Sequence, residues 1–240
     1  MTQEVLNAHS GVFVADEAQI TNSIREELNR ICAYKGSLPE QLQQINFAQV
    51  EQLRKFYWAK VHSRFGDAVG NKCFVDKTTM KTIDLGLINS IFPDAKVIFV
   101  LRDPRDICLS CLMQIMEPNP LTIQLLDWHG TADFYALVMN WWETAKKQMN
   151  MKFIEFKYED AITSFEGTYG KVFDFINIPW DSSITDFHKS AAKKFVVSPS
   201  FNQVSQPLYS SSVARWHNYE SEFSTITKVL QPFVKLYGYA

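Results

Sequence analysis

Apolar positions along the chain fall into two kinds of run. Some recur at helical spacing. Asp16 reads as an N-cap, and Ile20, Ile24, Leu28 and Ile31 then share one face. Asn46 with Gln49 forms a capping box, and the helix it opens carries Phe47, Val50, Leu53, Tyr57 and Val61 until Gly66 and Gly70 break it. Leu85, Leu87, Ile88 and Ile91 predict a helix that stops near Pro93. A long helix is expected from Phe134 to Met149, with Leu137, Met139, Trp141 and Trp142. Phe165, Tyr169, Val172, Phe173 and Ile176 mark another, closed by Pro179-Trp180. Thr225 to Leu236 is the last, with Gly238 as its stop. Met1 to Ala8 has helical character without a cap, Gly36 to Pro39 reads as a loop, Ala192 to Val204 as irregular, and Ser212 to Tyr219 as helical.

Other runs are short and continuously apolar. Val12-Phe13-Val14 is one. Cys73-Phe74-Val75 is a strand candidate, and Phe153 to Tyr158 is a further strand. The most informative is Val97-Ile98-Phe99-Val100-Leu101, inside KVIFVLRDPRDICLSCLMQ. A run this short without polar alternation suits a strand buried on both faces, as in a parallel sheet. Pro104 removes a backbone donor and biases Asp103 away from helical angles, so the strand stops there. Asp103 then reads as an N-cap with proline at the first helical position, and Ile107, Leu109, Leu112 and Met113 continue the helix until Pro118 and Pro120 end it. Arg102 thus stands at the carboxyl end of a strand, beside a helix N-terminus. That edge is where open α/β sheets bind ligands, and the pairing suits an anion. The plainer reading of Arg102 is a structural ion pair.

Strands alternating with helices predict an α/β fold, a three-layer αβα sandwich around a parallel sheet. With no repeats, low-complexity segments or linkers, residues 1–240 read as one domain. A net charge of −2 gives no basic surplus, so nucleic acid is not an expected partner. No apolar segment is long enough for a bilayer and no signal peptide is evident, so no membrane association is expected. The 4 cysteines, scattered apart from Cys108 and Cys111, show no disulfide framework, which makes a reducing cytoplasm the default. Neither they nor His9, His188 and His217 have metal-site spacing, so no metal is expected.

The stretch VIFVLRDPRDICLSC resembles the 3′-phosphate-binding strand-turn-helix of sulfotransferases that use 3′-phosphoadenosine-5′-phosphosulfate (PAPS), most closely the bacterial and tyrosylprotein branch. NAHSGVFVADE, VDKTTMK, FKYED and SPSFNQVSQPLYSSSVARWHNYE extend the resemblance over nearly the whole chain, in order. The resemblance implies a P-loop nucleotide hydrolase-like sulfotransferase fold and transfer of a sulfuryl group from PAPS to a hydroxyl acceptor, leaving 3′-phosphoadenosine-5′-phosphate (PAP).

It also implies roles for particular residues. Arg102 and Ser110 would hold the 3′-phosphate. Ser200 and Arg215 would contact the cofactor's phosphates, an arginine fork being suited to phosphate oxygens. Tyr158 would contact the nucleotide. Glu17 would be the general base that takes the hydroxyl proton, and Lys77 would stabilise the sulfuryl group and the departing phosphate oxygen. Plainer readings exist for each: Glu17 as a first-turn acid favoured by the helix dipole, Lys77 as a solvated lysine, Tyr158 as a strand-end aromatic. Thr78-Thr79 also stand where relatives usually carry a proline.

One family feature is not found. Relatives bind the 5′-phosphosulfate with a strand and a Pro-Arg/Lys-Ser-Gly-Thr-Thr loop, and in the family order that loop immediately precedes TQEVLNAHS. The expectation is a sulfotransferase domain lacking its N-terminal strand and loop, which by itself binds PAP weakly, transfers no sulfuryl group and tends to self-associate. Two rivals remain: a kinase-like nucleotide enzyme, which would need a Gly-x-x-x-x-Gly-Lys-Ser/Thr loop that the chain does not contain, and a non-catalytic PAP-binding or interaction protein on a decayed sulfotransferase fold. The sequence does not identify the acceptor.

Overall fold

A computed structural model describes residues 1–188 and 212–239. In chain order the regular elements are α1 (Thr2–Ala8), β1 (Val12–Asp16), α2 (Ile20–Ile31), α3 (Leu38–Gln44), α4 (Phe47–Phe65), β2 (Cys73–Lys77), α5 (Leu85–Ile91), β3 (Lys96–Leu101), α6 (Pro104–Leu112), α7 (Trp128–Gln148), β4 (Lys152–Lys157), α8 (Tyr158–Thr163), α9 (Phe165–Ile176), α10 (Glu220–Phe223) and α11 (Thr227–Leu236). The fold is α/β. Strands β1 and β2 pair in parallel, with Val12 opposite Cys73 and Asp16 opposite Lys77. Strands β3 and β4 form a second hydrogen-bonded pair.

The chain divides into two compact units. The first comprises Met1–Val97, Ala145–Phe153 and Phe173–Phe187. Its core joins α2, α4 and α5 to β1 through Ala15, Ile24, Leu28, Leu53, Val61 and Ile91, all buried. The Asn46 capping box forms as the sequence predicts, with Gln49 N–H donating to Asn46 Oδ1 at 3.0 Å and Asn46 N–H to Gln49 Oε1 at 3.0 Å. Helix α4 ends at Gly66, whose φ of 55° is the left-handed region that favours glycine. The second unit comprises Ile98–Thr144, Ile154–Val172 and the described residues from His188 onward. Here Phe99 of β3 stacks on Trp142 of α7 with ring centroids 4.0 Å apart, and Leu109, Phe156, Leu230 and Phe233 are buried.

Several local expectations are corrected. Asp16 does not cap α2. It is the last residue of β1, and α2 starts after Gln19, which is left-handed at φ 52°. The segment expected as a loop from Gly36 to Pro39 instead starts α3: Ser37 and Glu40 form a capping box, and Pro39 sits in the first turn, where a missing amide costs nothing. Helix α6 ends at Leu112, well before Pro118. Helix α7 starts at Trp128, ahead of the expected Phe134. Tyr158 opens α8 instead of ending a strand.

Strand β3 is not buried on both faces. Leu101 is buried but Val100 is 37% exposed. Side chains alternate along a strand, so Phe99 and Leu101 share the face that Trp142 covers while Val100 lies on the other. The continuous apolar run overstates burial because its signal cannot tell one covered face from two.

Candidate active site

Chemistry-bearing side chains gather at two strand ends, one in each unit. In the first unit, Glu17 follows directly on β1 and Lys77 closes β2, so the parallel register places them side by side. Glu17 N–H donates to the Lys77 carbonyl at 2.8 Å. Lys77 Nζ lies 2.6 Å from Glu17 Oε1 and 3.1 Å from Asp16 Oδ1. The Glu17 carboxylate also accepts from the Thr79 amide at 3.1 Å on each oxygen and from Thr79 Oγ1 at 2.7 Å. Glu17 has φ 47°. A non-glycine residue there costs about 1–2 kcal/mol, and such strain concentrates at functional sites.

These contacts set the charge state. Partial burial pushes the Glu17 carboxyl up, but hydrogen bonds from Lys77 and Thr79 and the Lys77 charge outweigh it, so the carboxyl sits below its ordinary range. For Lys77, burial pulls the ammonium down, while Glu17 and Asp16 more than offset this and hold it above its ordinary value. Lys77 is therefore an engaged cation and not simply a solvated one.

The loop after β2 is braced from below. Lys81 Nζ donates to Thr21 Oγ1 at 2.6 Å and pairs with Asp76 Oδ1 at 2.9 Å, and Tyr57 Oη donates to Asp76 Oδ2 at 2.9 Å. Thr78-Thr79 forms the turn that brings the Thr79 amide and hydroxyl onto Glu17.

In the second unit, Arg102 follows β3. Its guanidinium lies 5.2 Å from the Tyr158 ring centroid, and Nη2 donates to the Ser212 carbonyl at 2.6 Å. Tyr158 Oη and Ser212 Oγ are 2.9 Å apart. Arg102 Nε is buried and has no hydrogen-bond partner, and no carboxylate within 4.0 Å forms a salt bridge with Arg102 among the described residues. That argues against the plain ion-pair reading. The acid that does pair here is Asp103. It caps α6, accepting from the Arg105 amide at 2.9 Å, and it holds the Arg105 guanidinium through Nε at 2.9 Å and Nη2 at 2.6 Å.

Asp106, 1% exposed, accepts from the Ala214 amide at 2.7 Å and the Trp216 amide at 2.9 Å. Burial pushes its carboxyl up, against the two amides and the Arg102 charge, which pull it down. Trp216 lies under the Arg105 guanidinium at 3.8 Å. Arg215, between the two bonded amides, opens a 3₁₀ turn, is exposed, and has no partner among the described residues. Ser110 stands one helical turn beyond Asp106, on the same face of α6.

The structure thus brings Glu17 to Lys77 and Arg102 to Tyr158. It records no hydrogen bond from Ser110 or Arg215 to Arg102. Ser200 lies outside the described residues. Sequence reasoning missed Thr79, Asp106 and Ser212. Asp106 in the first turn of α6 reads as a dipole-favoured acid, and nothing in its spacing points to a segment over a hundred residues away.

Comparison with known proteins places the chain in a family. The model of the sulfotransferase family matches residues 1–182. The sulfotransferase domain from the curacin biosynthetic pathway covers 95% of the chain at 16% identity, with 92% of that domain matched and a TM-score of 0.57. The sulfotransferase domain from the Synechococcus PCC 7002 olefin synthase covers 97% at 14% identity, with 88% of that domain matched and a TM-score of 0.60. Identities this low show a shared fold alone. An uncharacterised protein of Aquifex aeolicus (strain VF5) is 25% identical over 96% of the chain, which spans 30% of that protein's length. With the family model matching well over half of its residues, this chain belongs to the sulfotransferase family.

Proposed function

We propose that this chain serves sulfuryl transfer from PAPS to a hydroxyl acceptor, with Glu17 as general base. The observation that carries the reading is the Glu17–Lys77 pair: a carboxylate held ionised at a strand end, 2.6 Å from the Lys77 ammonium. A base must be within reach of the proton it takes and unprotonated at working pH. Glu17 meets the second condition by its depressed pKa.

PAPS supplies an electrophilic sulfuryl group and a stable leaving nucleotide. Glu17 takes the acceptor's hydroxyl proton as the oxygen attacks sulfur. Lys77 stabilises the charge that gathers on the departing phosphate oxygen. Arg102, with a buried Nε that lacks an acceptor, fits a phosphate oxygen, and its guanidinium fork suits the 3′-phosphate. Tyr158 presents an aromatic face beside that cation. Ser110, Arg215 and Ser200 complete the phosphate contacts in this reading.

A second reading has its own support. The Glu17 carboxylate already accepts from Lys77 and Thr79 on both oxygens. Such engagement also fits a static brace in a protein that binds PAP without catalysis. Titration calorimetry with PAP, AMP and ATP, followed by labelled PAPS and a panel of hydroxyl acceptors, separates the two. Transfer that falls by about 10²–10⁴ in Glu17→Gln supports the enzyme. PAP binding in preference to AMP without any transfer supports the second reading. No preference for PAP over AMP refutes both.

A further inference from the structure

We propose that Asp106 is a positioning residue for phosphate recognition, acting through Arg215; the proposal rests on the PAP-binding reading above. Asp106 projects from the first turn of α6 and is almost completely buried. Its two oxygens take the amides of Ala214 and Trp216, the residues on either side of Arg215. A carboxylate that bonds both flanking amides fixes the backbone direction at the residue between them.

The segment needs such a hold. Ala214 sits at φ 56°, the left-handed region that a residue with a Cβ rarely adopts. Released from Asp106, this backbone would relax toward ordinary angles and swing Arg215 with it. Two neighbouring contacts pin the same segment without touching Arg215: Arg102 Nη2 holds the Ser212 carbonyl, and the Trp216 ring lies under Arg105. Asp106 alone bonds the backbone on both sides of Arg215 among the described residues.

Asp106 is not needed for this purpose by helix α6 itself, whose N-cap is Asp103. A buried carboxylate is costly unless its lone pairs are matched, and here the matching donors are backbone amides of one short turn and no arginine pairs with it directly. The arrangement is that of a clamp on the turn.

The substitution Asp106→Asn is nearly isosteric, yet its amide nitrogen must face one of two N–H groups, so one hydrogen bond is lost and a donor is set against a donor. Binding of PAP and AMP is measured by calorimetry for the parent chain, Asp106→Asn, Arg215→Ala and the double variant. The expected result is a loss of PAP affinity of about tenfold or more in Asp106→Asn with AMP little changed, the scale of one charge-assisted hydrogen bond. The double variant is expected to lose no more than Arg215→Ala alone, because both changes remove the same contribution. If Arg215→Ala lowers PAP affinity but the two losses multiply in the double variant, the proposal is overturned. If Arg215→Ala leaves the preference for PAP over AMP intact, the phosphate role of Arg215 fails, and the proposal with it, whatever Asp106 does. Should Asp106→Asn not fold, the same cycle is run on an Ala214→Gly background, where relief of the strained φ returns stability while the more flexible glycine leaves the direction of Arg215 to the Asp106 hold. Coupling between positions 106 and 215 is expected to persist there, and strictly multiplicative losses would overturn the proposal.

Discussion

Glu17 and Lys77 are joined twice, once through the backbone, where the Glu17 amide donates to the Lys77 carbonyl at 2.8 Å, and once through the side chains at 2.6 Å. The parallel pairing of β1 and β2 thereby fixes both the positions and the charges of the two groups. In the proposed reaction this has a consequence for pH. Glu17 must be ionised, and its carboxyl lies below the 4.5 of an ordinary glutamate. The acid limb of kcat/KM is expected below that value, with the rate flat through neutrality. Removing the ammonium with Lys77→Met leaves burial to act with less opposition, so the limb should move upward. A pH–rate profile of both forms checks this, and a limb that stays put would separate Lys77 from the base.

The same pair has a sign in stability. Glu17's folded pKa is depressed, so its contribution is present above the ordinary carboxylate range and is lost as pH falls through the lowered value. Lys77's is raised, so its contribution is present below the ordinary lysine value of 10.5 and is lost as pH rises through the higher folded value. Both are therefore in force across neutral pH. The Glu17 side chain is 40% exposed, so solvent and salt screen the effect. The melting temperature of Lys77→Met relative to the parent should be lowest at neutral pH, and the gap should narrow below the ordinary glutamate range. A gap that widens on acidification would contradict the pairing.

Thr79→Val keeps the shape of the Thr79 side chain and removes the hydroxyl that donates to Glu17 at 2.7 Å, while its amide still donates. A hydrogen bond to a charged carboxylate is worth about 1.5–3 kcal/mol, and solvent exposure puts this one at the low end, so turnover should fall by about tenfold. The acid limb should rise slightly for the same reason. A loss confined to KM would show instead that Thr79 meets substrate.

Much of this arrangement was legible in the sequence, and the failures have physical causes. Arg102, Asp103 and Pro104 announce strand, turn and helix because proline's missing donor and an N-cap oxygen act within a few residues of chain. The capping box at Asn46 and Gln49 is local in the same way. Asp16 misled because an acid before an apolar helix is also what a strand end looks like when a lysine from a distant strand pairs with it. Asp106 carried no signal, since its partners Ala214 and Trp216 are far away in sequence and bond through their backbones, which have no residue identity. Thr79 likewise gained its role from a turn whose shape depends on Lys81, Asp76 and Tyr57.

Ala214→Gly should stabilise the fold. At φ 56° the methyl group carries a cost of about 1–2 kcal/mol, which glycine avoids, against about 0.5–1 kcal/mol of added unfolded-state freedom. The net gain is expected to be about 0–1.5 kcal/mol, or up to a few degrees in Tm, read by thermal melting. A lower Tm would mean that the turn is held by its side chain and not merely strained.

Arg102→Ala tests the phosphate site at its most direct point. The Nη2 hydrogen bond to the Ser212 carbonyl is one role of the side chain, and the buried Nε without a partner is a second that this fold does not use. An unpaired buried donor is costly, so a ligand that supplies an acceptor recovers energy that the unliganded protein forgoes. A phosphate oxygen is such an acceptor, and a charged hydrogen bond of this kind is worth about 1.5–3 kcal/mol. PAP affinity should therefore fall by about 10–150-fold in Arg102→Ala. AMP, which has no 3′-phosphate, should lose far less. Arg102→Lys keeps the charge but not the fork, and should recover only part of the loss. Losing the Ser212 anchor also loosens the backbone before Arg215, so a melting curve is taken beside each titration. Equal losses for PAP and AMP would show that Arg102 supports the nucleotide site as a whole and does not read the 3′-phosphate.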